Sequence, residues 1–106
     1  MYEILLEVLP NQEINVMLDN VEYILTIQTI KDMTIISITR DNEIILTSQK
    51  CVPFILLINY KYLTKGGNFI FDCQDSEYPF WTKFGEKHRL YYLSDEELQE
   101  LQENVN

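Results

Sequence analysis

The sequence predicts a mostly β fold, a small antiparallel β-barrel or sandwich built from hairpins, followed by a short C-terminal helix. Short apolar runs alternate with polar residues and are separated by turn-forming pairs. Alanine, the best helix former, is absent from the 106 residues, whereas Ile occurs 13 times and Thr 7 times. Strands do not alternate with helices, so we do not expect a parallel α/β fold.

The first half of the chain predicts five strands joined by tight turns. Asp19-Asn20 and Arg40-Asp41-Asn42 are turn candidates because Asn and Asp tolerate positive φ, and Lys31-Asp32 separates two further apolar runs. Pro10-Asn11 ends the first strand. The predicted strands are residues 2–9, 12–18, 21–30, 33–39 and 43–48.

The second half is less regular. Cys51–Leu63 is either a buried strand or a single helical turn, because short apolar runs cannot be separated by period alone. Gly66-Gly67 predicts a hairpin leading into a strand over residues 68–73. Pro79 makes Tyr78–Trp81 an edge or irregular segment, and Arg89–Leu93 is the last strand.

The C-terminus predicts a helix over about residues 95–103. Ser94 as N-cap and Glu97 three residues later form a capping box. A narrow apolar stripe runs along this helix and consists of Leu98, Leu101 and Val105. The helix either packs against the β domain through this stripe or is frayed. We therefore expect two parts, a β domain over residues 1–93 and an acidic C-terminal helix and tail over residues 94–106.

The charge limits the function classes. A formal net charge of −9 argues against non-specific binding to nucleic acid, which requires a basic surface. The longest apolar runs are too short to span a membrane, and the acidic N-terminus does not resemble a signal peptide. Exposed strand edges can pair with a second copy of the chain, so the sequence does not exclude a homo-oligomer.

No constellation of residues predicts catalysis, a metal or a cofactor. Cys51 and Cys73 are expected to be free, half-buried thiols, and there are too few Cys and His residues for zinc. The acids of Asp72–Glu77 lack the spacing of a calcium loop. His88 has no recognisable nucleophile beside it. With Lys83, Lys87 and Arg89 it is expected to form a solvated loop end, the alternative being a contact with phosphate or with an acidic partner surface.

The most distinctive local feature is a group of aromatic residues. They form a candidate partner-binding patch, because aromatic residues concentrate at interface hot spots. Alternatively the rings fill one end of a small barrel, and both interpretations can hold for different rings. The residues are Tyr78, Phe80, Trp81 and Phe84.

The order of these features resembles the phage baseplate plug family, small structural proteins of contractile phage tails. The similarity covers about residues 1–98 and lies in the order and spacing of short motifs. Those motifs include Met17-Leu18-Asp19-Asn20, Gly66-Gly67-Asn68-Phe69, Glu77-Tyr78-Pro79, Phe84-Gly85 and Arg89-Leu90-Tyr91-Tyr92-Leu93. Asn20 and Asn42 occupy turn positions where the family is expected to have glycine.

The resemblance implies a virion protein without catalytic activity, located in the tail baseplate and present in the host bacterial cytoplasm during assembly. Its implied partners are baseplate hub, spike or tail tube proteins, and a negative surface facing the tube lumen would not hold passing DNA. Two other function classes stay open from the residues themselves. One is a small β-barrel that binds a small ligand, and the other is an acidic inhibitor that mimics nucleic acid.

Overall fold

The computed structural model describes residues 1–58 and 66–105, which form two antiparallel sheets and one terminal helix. One sheet has the strand order β1-β7-β6 and the other has the order β2-β3-β4-β5. A single turn of 3-10 helix spans Trp81–Lys83. The elements are β1 (Tyr2–Ile4), β2 (Gln12–Leu18), β3 (Val21–Ile30), β4 (Met33–Arg40), β5 (Glu43–Lys50), β6 (Asn68–Cys73), β7 (His88–Leu93) and α1 (Asp95–Val105).

The predicted Asp-Asn turns are confirmed. Asp19 and Asn20 both have positive φ, 53° and 64°, and connect β2 to β3. Asp41 and Asn42, at 48° and 66°, connect β4 to β5 in the same way. Two central residues with positive φ match the right-handed twist of a hairpin. The local side chains therefore favour the pairing of β2 with β3 and of β4 with β5.

The two sheets bury a shared core. Alternate residues of β4 and β6 point inward, as the sequence pattern predicts, with Ile36, Ile38, Phe69 and Phe71 fully buried. The ring of Tyr23 on β3 meets the ring of Phe69 edge to face, with centroids 5.4 Å apart, so the sheets contact directly. Within residues 1–58 and 66–105 neither sheet closes on itself, so the barrel is not confirmed, and the two-sheet arrangement is compatible with the sandwich alternative.

The first predicted strand is too long. β1 ends at Ile4, and residues 5–10 form an irregular crossing from the three-stranded sheet to the four-stranded one. The side chain of Gln12 explains the change, because its Oε1 accepts from the Glu7 amide and its Nε2 donates to the Glu7 carbonyl. These bonds satisfy backbone groups that a longer strand would have paired with a neighbour.

The segment after β5 is neither a strand nor a helical turn over its described part, residues 51–58. It runs beside β6, where the amides of Phe54 and Leu57 donate to the carbonyls of Phe71 and Phe69 at 2.9 Å each. Phe54 has a φ of 62°, which interrupts regular pairing. Residues 59–63 of the predicted segment, and the first arm of the Gly66-Gly67 hairpin, lie outside the described residues.

Both cysteines are free, as predicted, but they are fully buried rather than half-buried. Burial raises the pKa of each thiol to about 12, and nearby acids add to the effect at Cys73. The two thiols therefore behave as small apolar groups of the core.

The predicted capping box at the start of α1 is confirmed. The Ser94 amide donates to Glu97 Oε1 at 3.0 Å, and the Glu97 amide donates to Ser94 Oγ at 3.2 Å. The N-terminal ammonium of Met1 also contacts Glu97 and joins the helix to the start of β1. Leu98 is half-buried whereas Leu101 is 51% exposed, so the apolar stripe docks only in part. No helix within the described ranges has the length and apolar character needed to cross a membrane.

Candidate interaction surface

The turns of the four-stranded sheet lie at two opposite ends of the molecule. β3 runs from the Asp19-Asn20 turn to Ile30, and its neighbour β4 returns from Met33 to the Asp41-Asn42 turn. The end that carries Ile30 and Met33 exposes a group of large apolar side chains, and we call it the apolar end. Its residues are Leu5, Val8, Leu9, Ile30, Met33 and Tyr78, with the half-buried Phe80 and Trp81 beside them.

Three contacts hold separate segments together at the apolar end. Thr34 Oγ1 donates to the Pro79 carbonyl at 2.6 Å and joins β4 to residues 78–84, which we call the aromatic loop. Thr29 Oγ1 donates to the Pro10 carbonyl at 2.7 Å and joins β3 to the irregular crossing. The ammonium of Lys50 lies 4.7 Å above the ring of Tyr78. The end of the four-stranded sheet, the irregular crossing and the aromatic loop therefore meet at the apolar end.

His88 fixes the position of the aromatic loop from inside the protein. The Phe80 amide donates to His88 Nδ1 at 2.9 Å, so this nitrogen carries no proton. The proton lies on Nε2, which donates to Asp75 Oδ1, also at 2.9 Å. The imidazole is fully buried, and both of its nitrogens are used to hold other parts of the chain.

Asp75 connects this histidine to the surface. Its second oxygen accepts from Lys83 Nζ at 2.8 Å, and the Glu77 amide donates to Oδ1 at 3.1 Å. The Lys83 ammonium, followed by the Glu77 amide and His88, holds the pKa of the Asp75 carboxyl well below its usual range. Asp75 also raises the pKa of Lys83, with Glu77 contributing at 3.0 Å. The network braces both ends of the aromatic loop.

The four aromatic candidates occupy different environments. Phe84 is 1% exposed and stacks on Phe71, with ring centroids 6.0 Å apart and planes 21° apart. Trp81 packs partly against the core, and the half-buried ring of Phe80 lies 6.1 Å from it. Tyr78 is 52% exposed. The loop thus supplies one ring to the core and presents the others at or near the surface.

The basic cluster is only in part the solvated loop end that the sequence predicts, because Lys87 is exposed whereas other groups of the fold hold the remaining three residues. His88 lies in the core, and Lys83 is held by Asp75 and Glu77. Arg89 contacts Glu3 at 3.4 Å and donates from Nε to the Glu86 carbonyl at 3.0 Å. In the part of the chain that the structure describes, no three His, Cys, Asp or Glu side chains gather as metal ligands.

Sequence reasoning did not place five of these exposed residues at an interaction surface. Leu5, Val8 and Leu9 were expected within a strand, and Ile30 and Met33 flank the Lys31-Asp32 turn. One sequence feature could have indicated the surface: Ile30 and Met33 are large apolar residues on either side of the polar turn Lys31-Asp32. Polar residues are the usual choice at an exposed hairpin turn. Only the topology shows that these residues and the aromatic loop share one end.

Comparison with known proteins adds independent information. The chain matches the family described as cyanophage baseplate Pam3 plug gp18 over residues 1–96. No curated protein matches it. The matched range contains both sheets, the aromatic loop and the first residues of α1. The resemblance inferred from the order of sequence motifs is confirmed, and the chain belongs to the family of cyanophage baseplate plug proteins.

Proposed function

We propose that this protein is a non-enzymatic plug of the tail baseplate hub that works through protein contacts made by its apolar end. Family membership supports a structural role in the phage baseplate and contacts with other baseplate components. The observation that carries the finer proposal is the gathering of six exposed apolar side chains from three separate segments at one end. Exposed apolar side chains that are grouped at one end of a protein favour a protein interaction site there.

The geometry of the aromatic loop supports this assignment. Tyr78 offers a large exposed ring, and the Thr34, Lys50 and His88 contacts hold its loop in place before a partner arrives. Ordering the contact residues in advance lowers the entropy cost of association. Phe84 contributes from the core by supporting the loop, so we assign direct contact to Tyr78, Phe80 and Trp81.

The absence of catalysis is part of the proposal. The sequence contains one histidine, and both nitrogens of its ring are occupied by Phe80 and Asp75. This histidine therefore has a structural task in the described fold. The protein would reside in the virion tail baseplate after assembly in the host bacterial cytoplasm, with hub, spike or tail tube proteins as partners.

The test measures binding to purified hub, spike and tail tube proteins of the phage that carries this chain. We expect at least one to bind. Tyr78→Ala, and separately Leu5→Ser with Val8→Ser, should weaken that binding by about tenfold or more while circular dichroism stays unchanged. Ile44→Ser is the matched control, because Ile44 is 73% exposed but follows the Asp41-Asn42 turn at the other end. Equal losses in the control and the apolar-end variants would overturn the assignment.

A further inference from the structure

The two sheets have four edges, and β2 forms one that is neither short, covered nor irregular. β1 has only three residues, and residues 51–58 run beside β6 and bond to it. The register of β5 against β4 shifts twice. β2 instead pairs with β3 in one unbroken register over seven residues, and no described strand lies on its other side. We call that side, over residues 13–17, the β2 edge. Most proteins protect such an edge with a bulge, a proline or a lysine, and β2 has none of these.

The β2 edge presents a row of backbone donors and acceptors. The two-residue turn after β2 places its last residue, Leu18, in a hydrogen-bonded pair with the first residue of β3. Because such pairs alternate along an antiparallel ladder, the N–H and C=O groups of Glu13, Asn15 and Met17 point away from β3. All three residues are exposed. An extended segment from another molecule can therefore add to the sheet at this edge.

The side chains of β2 define what such a segment must carry. Ile14 and Val16 point inward and are half-buried at the margin of the core. Apolar residues on the inner face of an added strand would cover them. On the outer face Glu13 is exposed at one end of the edge, and the exposed Glu22 of β3 lies opposite Met17 at the other.

The charge of this region favours a basic occupant. β2 and β3 contain two glutamates and no Lys or Arg. Opposite charges across a pair of strands stabilise the pairing, and like charges oppose it. A second copy of the chain would bring a net charge of −9 and no cation on its own β2 or β3. A basic strand of another protein therefore fits this edge better than a second copy does.

We propose that the β2 edge receives an extended segment of a second baseplate protein as an additional strand, with Lys or Arg on its outer face and apolar residues on its inner face. Main-chain hydrogen bonds give such a contact its affinity, and alternate side chains give it specificity. The proposal rests on the proposed function for the origin of the segment. It adds a contact that differs in chemistry from the apolar end.

The test uses the full chain labelled with ¹⁵N and the capped peptide Lys-Val-Thr-Val-Lys, whose pattern is the same in both strand directions. We expect saturable shifts of the Glu13, Asn15 and Met17 amide signals at about 0.15 M salt. The capped peptide Glu-Val-Thr-Val-Glu should bind about tenfold more weakly. Equal binding of the two peptides, or shifts confined to residues outside β2 and β3, would overturn the proposal.

An N-methylated peptide separates strand addition from charge attraction alone. Methylating the amides of the two lysines and the threonine keeps the charges and side chains but removes the donors that face β2. The affinity should fall about tenfold or more. Affinity that survives methylation would show attraction without strand pairing and would contradict the assignment.

Two matched variants test the position of the charge. Glu13→Lys changes the β2 edge, and Glu43→Lys makes the same change at an exposed position of β5. Glu13→Lys should weaken binding of the lysine peptide about fivefold and strengthen binding of the glutamate peptide. Glu43→Lys should leave both affinities within about twofold. Equal effects of the two variants would place the peptide elsewhere.

Hydrogen exchange tests the competing occupant. In the chain alone the Asn15 amide should exchange rapidly, because no described strand pairs with it. Slow exchange at Asn15 in a chain that sediments as a dimer would place a second copy on the β2 edge and overturn the proposal.

The outcome is separable from that of the proposed function. The peptide titration needs no baseplate protein, and the hub-binding assay depends on side chains of the apolar end. Failure of peptide binding with apolar-end binding intact would remove this inference alone. Peptide binding with no recognition of hub, spike or tail tube proteins would instead contradict the proposed plug function.

Discussion

The imidazole of His88 and the carboxylate of Asp75 meet at 2.9 Å although 13 positions separate them in the sequence. The other nitrogen of the same ring accepts from the Phe80 amide. One buried side chain therefore connects β7, the acidic loop after β6 and the aromatic loop. The position of the proposed contact surface depends on a residue that no partner would touch.

Replacing His88 with Ala should lower the free energy of unfolding by about 2–4 kcal/mol, because it leaves the Phe80 amide and Asp75 without their partner. Chemical denaturation measures this loss. Lys87→Ala changes the preceding exposed residue and should stay within about 0.5 kcal/mol of the unchanged protein. A His88→Ala protein as stable as the Lys87→Ala control would show that the pair does not hold the loop.

The lowered pKa of Asp75 predicts a specific loss of stability in acid. The unfolded carboxyl, with a pKa of about 3.9, takes up a proton before the folded one does. The stabilisation is therefore complete above that value and is lost as pH falls toward the lower folded pKa. Unfolding free energies measured between about pH 5 and about pH 3 should fall less steeply in Asp75→Asn.

Asp72→Asn is the control for this pH experiment, because Asp72 lies in the same stretch but is exposed. It should keep the slope of the unchanged protein. If Asp75→Asn and Asp72→Asn give the same slope, the Lys83 and His88 contacts do not act on the Asp75 carboxyl in solution.

Replacing an aromatic residue of the core should lower the free energy of unfolding much more than replacing one at the surface. Phe84→Ala should cost about 3–5 kcal/mol, because it removes a fully buried ring that stacks on Phe71. Tyr78→Ala should cost about 0.5 kcal/mol or less. Thermal and urea unfolding of the two variants check this difference. A small loss for Phe84→Ala would contradict its placement in the core.

The raised pKa of the two cysteine thiols predicts chemical inertness in the folded state. At about pH 8 each thiol stays protonated and buried, so a thiol reagent should label neither residue at an appreciable rate. Both should react after denaturation. Mass spectrometry at timed intervals distinguishes these outcomes, and rapid labelling of the native protein would be inconsistent with the described burial.

The regular strands could be predicted because their determinants are local. Alternation in β2, β4 and β6 and positive-φ residues such as Asn20 and Asn42 depend on a few neighbouring side chains. The family resemblance depends on the same regular spacing, which is why it could be found from the residues alone.

The irregular segments could not be predicted, because distant partners determine them. Gln12 ends the first strand by bonding the backbone at Glu7, and β6 holds residues 51–58 beside it. His88 is buried because Asp75 and Phe80 satisfy both its nitrogens. The apolar end combines residues of the four-stranded sheet, the irregular crossing and the aromatic loop, and this combination is visible only once the strand order is known.

The irregular pairing of β5 has a consequence for self-association. β5 is the terminal strand of its described sheet, and its register against β4 shifts twice, once near Ser48, which has a φ of 51°, and once near Ile45. The bulges shift the regular alternation of backbone N–H and C=O groups along β5, so a strand from another molecule could not pair with it continuously. Uninterrupted ladders between copies are thereby disfavoured.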